Sequence, residues 1–312
     1  MKSVFEDLVK VSRGGSTTGY KCKSIASAPA AYRAIEVQPL AGQGKVMVTL
    51  FSATRTVNAI SPASNWGDLV GSVVSVQLLD ESAHRMSLVL NHEKLIDAAD
   101  APWLEVPDPS WLVNESEWRS MVGMVRELRP SLQRIINSVL RKDADLEGFL
   151  TLGASLGDHH AERGGLLRHT LECMQVVKAQ GAPRRLDLDL AISAAALHDI
   201  GKCREYTGVG QGSRLTDSGQ LLGHMLAGYR MVCEALALVD LDERESLALL
   251  HCISASEAPS WVGLRSPRMS EAVLVNGCDR LSGRLEPLRP PSGSAGWYQP
   301  RAYRKQPVLS LG

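Results

Sequence analysis

The sequence predicts a chain of mixed α and β structure in two parts, a small N-terminal β-barrel followed by an all-helical bundle. Three observations lead there. Between residues 20 and 91, short segments rich in Val and Ile alternate with turn residues, which is a strand pattern. From residue 114 onward, apolar side chains recur at three- and four-residue spacing, which is a helical pattern. The segment between them, DAADAPWLEVPDPSW at 97–111, carries three prolines and several acids and reads as a linker. A length of 312 residues fits about two domains. The boundaries expected are 1–96 for the barrel, 97–113 for the linker, 114–286 for the helical domain and 287–312 for a tail.

The expected strands are YKCKSIA, YRAIEVQ, KVMVTLF, VVSVQLL and RMSLVLN. Five strands in this space fit an oligonucleotide-binding (OB) barrel; a small sandwich or an SH3-like barrel gives much the same pattern. The barrel segment is poor in aromatics: Tyr20, Tyr32, Phe51 and Trp66 are all it has. In the second part, Asn114 offers a helix N-cap with acids in the first turn, and Pro130 opens the next helix. Residues 204–219 are Gly-rich and read as a loop or short hairpin. The tail is rich in proline and carries Arg289, Arg301, Arg304 and Lys305 among Trp297, Tyr298 and Tyr303. Such a mixture holds single strands by charge and stacking, or is simply an end packed on the body.

Composition excludes several classes. Lys+Arg and Asp+Glu are both 34, so no global field would hold a polyanion, which argues against a tight non-specific DNA binder. The cysteines, at 22, 173, 203, 233, 252 and 278, are scattered without a CxxC pair, so neither a zinc clasp nor a disulfide framework is expected. Glu6 and Asp7 stand where a secretory signal is apolar. No apolar run approaches the roughly 18 residues of a membrane span. A cytoplasmic protein without membrane contact is expected.

The chemistry concentrates between His159 and Lys202. The adjacent pair His198-Asp199 ends a very apolar helix, 188–197, that should be buried. His169 lies one helix upstream on 166–178, and Asp279 lies far downstream among Val273, Leu274, Val275 and Leu281. A buried carboxylate needs a partner or a metal, and a divalent ion accepts this mixture of nitrogen and oxygen donors. Ligands so distant in sequence require a helical bundle to bring them together.

The segments HHAERGGLLRHTLE, ALHDIGK and TDSGQLLGHM resemble the HD-domain phosphohydrolases, most of all the YhaM-type 3′→5′ exoribonucleases. A related pattern occurs in HD domains of conjugative relaxase-type proteins. The resemblance implies an OB barrel ahead of an all-helical HD domain, with a divalent metal held by His169, His198, Asp199 and Asp279. Manganese is expected first, with magnesium, iron, cobalt or nickel as alternatives. His224 extends the site towards a second metal in that family. Here the chain departs from the pattern: the segment that usually carries further histidines reads HCISASEAP from His251, so one ion, or a weak second one, is expected.

Further roles follow from that ligand set. A metal with open positions lowers the pKa of a bound water, which attacks phosphorus, and polarises a phosphoryl oxygen. Lys202 is expected to reach phosphate as a point charge, or else to favour a helix C-terminus. His159 and His160 would bind phosphate, with His160 also placed to protonate the leaving oxygen, or they cap the helix start. Arg163 is a further cation near the mouth. The function expected is a metal-dependent phosphodiesterase, a 3′→5′ exonuclease on single-stranded RNA or DNA, forming a homo-oligomer as that family does. The alternatives are a small-nucleotide phosphohydrolase and a non-catalytic nucleic-acid-binding protein of a mobile element.

Overall fold

The computed structural model describes residues 25–41, 44–63, 66–81, 86–95, 101–156, 159–208, 212–256, 264–288, 295–299 and 307–310. The N-terminal part has strands β1 (Ile25–Ala26), β2 (Ala30–Leu40), β3 (Lys45–Phe51), β4 (Thr56–Pro62), β5 (Val73–Glu81) and β6 (Met86–Lys94). Five of them close a barrel in the order β2-β3-β4-β6-β5, with β5 returning to β2 and β1 pairing on β5 outside the ring. β4 and β6 run parallel, Ala59 beside Ser87, and every other pairing is antiparallel. The OB-like barrel is therefore present, but one of its strands was not expected. β4 (TVNAISP) mixes small and polar residues on both faces and ends in Pro62, yet Val57, Ala59 and Ser61 alternate inward with strict period two. Of the expected first strand, only the short β1 lies within the described residues.

The barrel interior is Val46, Val48, Leu50, Val74, Val76 and Leu78 around Trp66. Trp66 donates its indole N–H to Ser61 Oγ at 2.8 Å and stacks on His92. Tyr32 and Phe51 are buried as well, so among the described residues the barrel exposes no aromatic platform for bases.

The segment 101–111 is packed, not solvated. Trp103, Leu104 and Val106 are buried, Leu104 N donates to Asn137 Oδ1, and Trp118 Nε1 donates to Leu104 O. On the barrel side, Ala53 N donates to Glu105 O at 2.7 Å. Phe51 stacks on Trp118 at 5.8 Å between ring centroids and belongs to the helical core.

The helical part runs α1 (Glu115–Arg126), α2 (Pro130–Val139), α3 (Asp143–Thr151), α4 (Gly165–Gly181), α5 (Leu188–Leu197), α6 (Lys202–Glu205), α7 (Asp217–Leu221), α8 (Gly223–Leu236), α9 (Glu243–Ser254) and α10 (Ser270–Leu285). Asn114 caps α1 through Ser116 N and Glu117 N. α5 is buried from Leu190 to Leu197, and its Ala and Ser side chains let α4, α9 and α10 pack close around it. After α6 a two-stranded hairpin, β7 (Tyr206–Thr207) with β8 (Arg214–Leu215), occupies the Gly-rich stretch. In the tail, β9 (Gly296–Tyr298) pairs with β10 (Val308–Ser310), and Trp297 is exposed. Tyr303 and the basic residues of the tail lie outside the described residues. No described helix is long and apolar enough to cross a membrane.

Candidate metal centre

Four donors meet at the centre of the bundle. α4 supplies His169, the turn after α5 supplies His198 and Asp199, and α10 supplies Asp279. His169 Nε2 is 3.2 Å from His198 Nε2, 3.3 Å from Asp199 Oδ2 and 3.2 Å from Asp279 Oδ1. His198 Nε2 is 3.5 Å from Asp199 Oδ2 and 3.7 Å from Asp279 Oδ1. Donors each ~2.1 Å from one ion stand roughly 3.0–3.5 Å apart, so the set fits a single divalent ion. His198 Nδ1 is 2.8 Å from Ala195 O, which ties its proton there and leaves Nε2 bare.

The electrostatics call for a cation in the same place. Burial opposes charge on His169, yet its hydrogen bonds to Asp199 and Asp279 push its pKa up to about 12. Burial likewise disfavours an ionised Asp279, but His169 and His198 hold it below the usual carboxylate range. Asp199 is fully enclosed, and against that burial the Lys202 ammonium and the two imidazoles keep it well below the ordinary value. Cys173 Sγ also stands 3.9 Å from His169 Nε2 and with both histidines makes a second donor group.

The motif glycines make this convergence possible. A Cβ on Gly201 would stand 1.9 Å from His224 O and 2.5 Å from Gly228 N, so only glycine lets α8 press against the turn after Asp199. A Cβ on Gly165 would stand 1.9 Å from His160 O. Gly164 adopts φ +79°, a left-handed conformation suited to glycine, at the start of α4.

The other expected residues fall around this centre in different ways. His224 stands on the far side of Asp199, with Nε2 3.6 Å from Oδ1 and Nδ1 2.9 Å from Glu205 Oε2. It is outside the four-donor group. His251 accepts from Arg268 N at 2.9 Å and is likewise outside that group; Glu257 lies outside the described residues. His159 is half-buried with its ring 5.5 Å from that of His169, and burial together with the neighbouring His169 and Lys202 lowers its pKa. Arg163 is exposed in the turn before α4.

Two placements differ from the roles expected. Lys202 is buried, with Nζ 2.5 Å from Asp199 Oδ2, because it follows Asp199 by three residues on one turn. Its ammonium serves Asp199 instead of projecting towards a phosphate. His160 is also buried, with its Nε2 committed to Glu172.

A cavity of about 140 Å³ opens beside the ligands, walled by His198, Asp199, His224, Asn276, Asp279 and Arg280. Among the described residues Arg280 is the one permanent cation along its wall. Sequence reasoning missed Asn276 and Arg280, whose signal is their place on α10 three residues before and one after Asp279. Glu205, Glu172 and Ser282 were also missed; polar residues on helices carry no marker of the direction they face.

Residues 166–284 match the family model described as HD domain. Over 158 residues the chain is 28% identical to the 3′-5′ exoribonuclease YhaM of Bacillus licheniformis, covering 50% of this chain and 49% of that protein. It is 29% identical over 159 residues to the proteins of the same name from Shouchella clausii and Bacillus subtilis. The chain spans about half the length of the curated relatives it matches.

Proposed function

Since residues 166–284 form an HD domain, we propose that this protein is a metal-dependent phosphodiesterase that removes nucleotides from the 3′ end of single-stranded RNA or DNA. The observation that carries the reading is the meeting of His169, His198, Asp199 and Asp279 within ion-binding distance beside an open cavity. These four residues would hold a divalent ion, with manganese the first choice. When bound, such an ion supplies a Lewis acid for a phosphoryl oxygen and a water of lowered pKa.

The chain's own residues do the rest. Lys202 keeps Asp199 ionised and fixes its Oδ2 towards the two imidazoles. Arg280 neutralises the phosphate in the cavity, a task its planar fork suits. His224, held through Nδ1 by Glu205, frames with Asp199 Oδ1 the place of a second and weaker ion. His159 and Arg163, near the start of α4, are the remaining substrate contacts proposed.

A second reading, hydrolysis of a small nucleotide, is favoured by the buried aromatics of the barrel, which cannot stack bases. Mononucleotide release from single-stranded RNA and DNA in manganese separates the two. The exonuclease reading expects processive or distributive release of 5′-mononucleotides; no release from either strand, with cleavage of free nucleotides, contradicts it. In the same assay Arg280→Gln should leave metal content unchanged and lower kcat/KM roughly 10–100-fold, as for the loss of a charge-assisted hydrogen bond of about 1.5–3 kcal/mol.

A further inference from the structure

On the Nδ1 side of His169 lies a buried polar group that the ligand set does not use. His169 Nδ1 is 3.1 Å from Ser282 Oγ, and Ser282 Oγ is 2.9 Å from Glu172 Oε2. His160 Nε2 is 3.2 Å from the same carboxylate oxygen and 3.4 Å from Ser282 Oγ. His160 is 1% exposed, and its Nδ1 has no hydrogen-bond partner.

The direction of each bond follows from what each group can donate. An ionised carboxylate only accepts. The Ser282 hydroxyl therefore donates to Glu172, and His160 donates its Nε2–H to the same oxygen. With its one hydrogen committed, Ser282 Oγ is left to accept from His169 Nδ1–H. A neutral imidazole protonated at Nδ1 is bare at Nε2, the atom that faces His198, Asp199 and Asp279.

The backbone is bent to build this arrangement. His160 has φ +45°, uncommon for a residue with a side chain. Its carbonyl accepts from Ala154 N at 2.7 Å and fills the space that a Cβ on residue 165 would need. Such strain persists where the surroundings over-determine it, and it gathers at functional sites. Here it accompanies an imidazole that lies buried against Glu172 with half its hydrogen-bonding capacity unused.

We propose that Glu172, acting through Ser282 and steadied by His160, fixes His169 as an Nε2 metal donor. All three are positioning residues. The inference rests on the metal-site reading above and assigns His160, the second histidine of the HHAERGG segment, a supporting task. Outer partners of this kind are worth roughly 10–100-fold in metal affinity.

The test uses the full chain and metal alone. Ser282→Thr and Ser282→Val have the same shape and differ in the hydroxyl. In titrations with Mn²⁺ and Co²⁺, the Thr variant should bind close to wild type, and the Val variant roughly 10–100-fold more weakly. Glu172→Gln, which needs no extra space, should weaken binding in the same range and serves if residue 282 tolerates no methyl. In zinc-loaded protein with ¹⁵N-labelled histidine, the proton on His169 Nδ1 should be visible in wild type and lose its exchange protection in Ser282→Val. Equal metal affinity for Thr and Val, or an unchanged affinity in Glu172→Gln, overturns the inference while leaving the metal site standing. A wild-type chain that binds none of these ions overturns the metal-site reading itself.

Discussion

Replacing Asp199 by alanine is expected to abolish phosphodiester cleavage and to reduce bound metal below detection. Asp199 is the residue whose two oxygens face both sides of the centre: Oδ2 lies 3.3 Å from His169 Nε2, and Oδ1 lies 3.6 Å from His224 Nε2. Its loss also leaves the Lys202 ammonium buried without the carboxylate 2.5 Å away. A catalytic ion contributes several kcal/mol to stabilising the transition state, so losing it takes activity to the background. The comparison variant is Asp199→Asn, which keeps the shape and loses the charge. Circular dichroism should report a folded chain, and mononucleotide release should vanish in both variants. Retention of about a tenth of wild-type activity in Asp199→Ala would contradict the assignment.

The largest effect on stability is expected at Arg33, far from the centre. Its side chain is almost fully buried, where the barrel, the 101–111 segment and α3 meet. Nε donates to Val106 O at 2.8 Å, Nη1 to Gly71 O at 2.6 Å, and the guanidinium pairs with Asp143 at 2.7 and 3.1 Å. It also lies 5.0 Å from the Trp111 ring centroid. The Asp143 side chain is half exposed, so solvent screens that pair; most of the cost comes from two carbonyls left without donors. Arg33→Met should destabilise by about 2–5 kcal/mol, since each buried acceptor left unpaired costs about 1–3 kcal/mol. Because Phe51 and Ala53 belong to the helical core, the urea transition should remain single and move as a whole. A change below about 1 kcal/mol, or a split into two transitions, would show that the barrel and the helices are not coupled through this residue. The same packing means that cutting the chain near residue 97 would bare Trp118, so truncation is a poor way to isolate the helical domain.

The parts of this molecule legible in sequence were those fixed by residue type and period. His198-Asp199 at the end of an almost wholly apolar helix announced a buried polar centre, and His169 and Asp279 sat on helices with the right apolar neighbours. What spacing alone did not reveal was direction. Lys202 follows Asp199 by three residues, and within one turn that spacing folds the ammonium back onto the carboxylate. His160 and His159 are adjacent in sequence, yet the left-handed φ at His160 leaves one buried against Glu172 and the other half-buried beside His169. β4 escaped notice because alternation of Ala, Ser and Asn gives little hydrophobic contrast, although its pairing with β6 is what closes the barrel. The prolines and acids of 97–111 mark a linker in sequence, while the Trp, Leu and Val between the prolines pack against both halves.

The central claim is that one divalent ion sits among His169, His198, Asp199 and Asp279. Anomalous diffraction at the manganese edge, from crystals of the full chain grown with excess Mn²⁺, tests it most directly. One strong peak per chain is predicted, ~2.1–2.2 Å from the Nε2 atoms of both histidines and from an oxygen of each aspartate. No peak there, with the four side chains splayed beyond an ion's reach in metal-replete crystals, would contradict it.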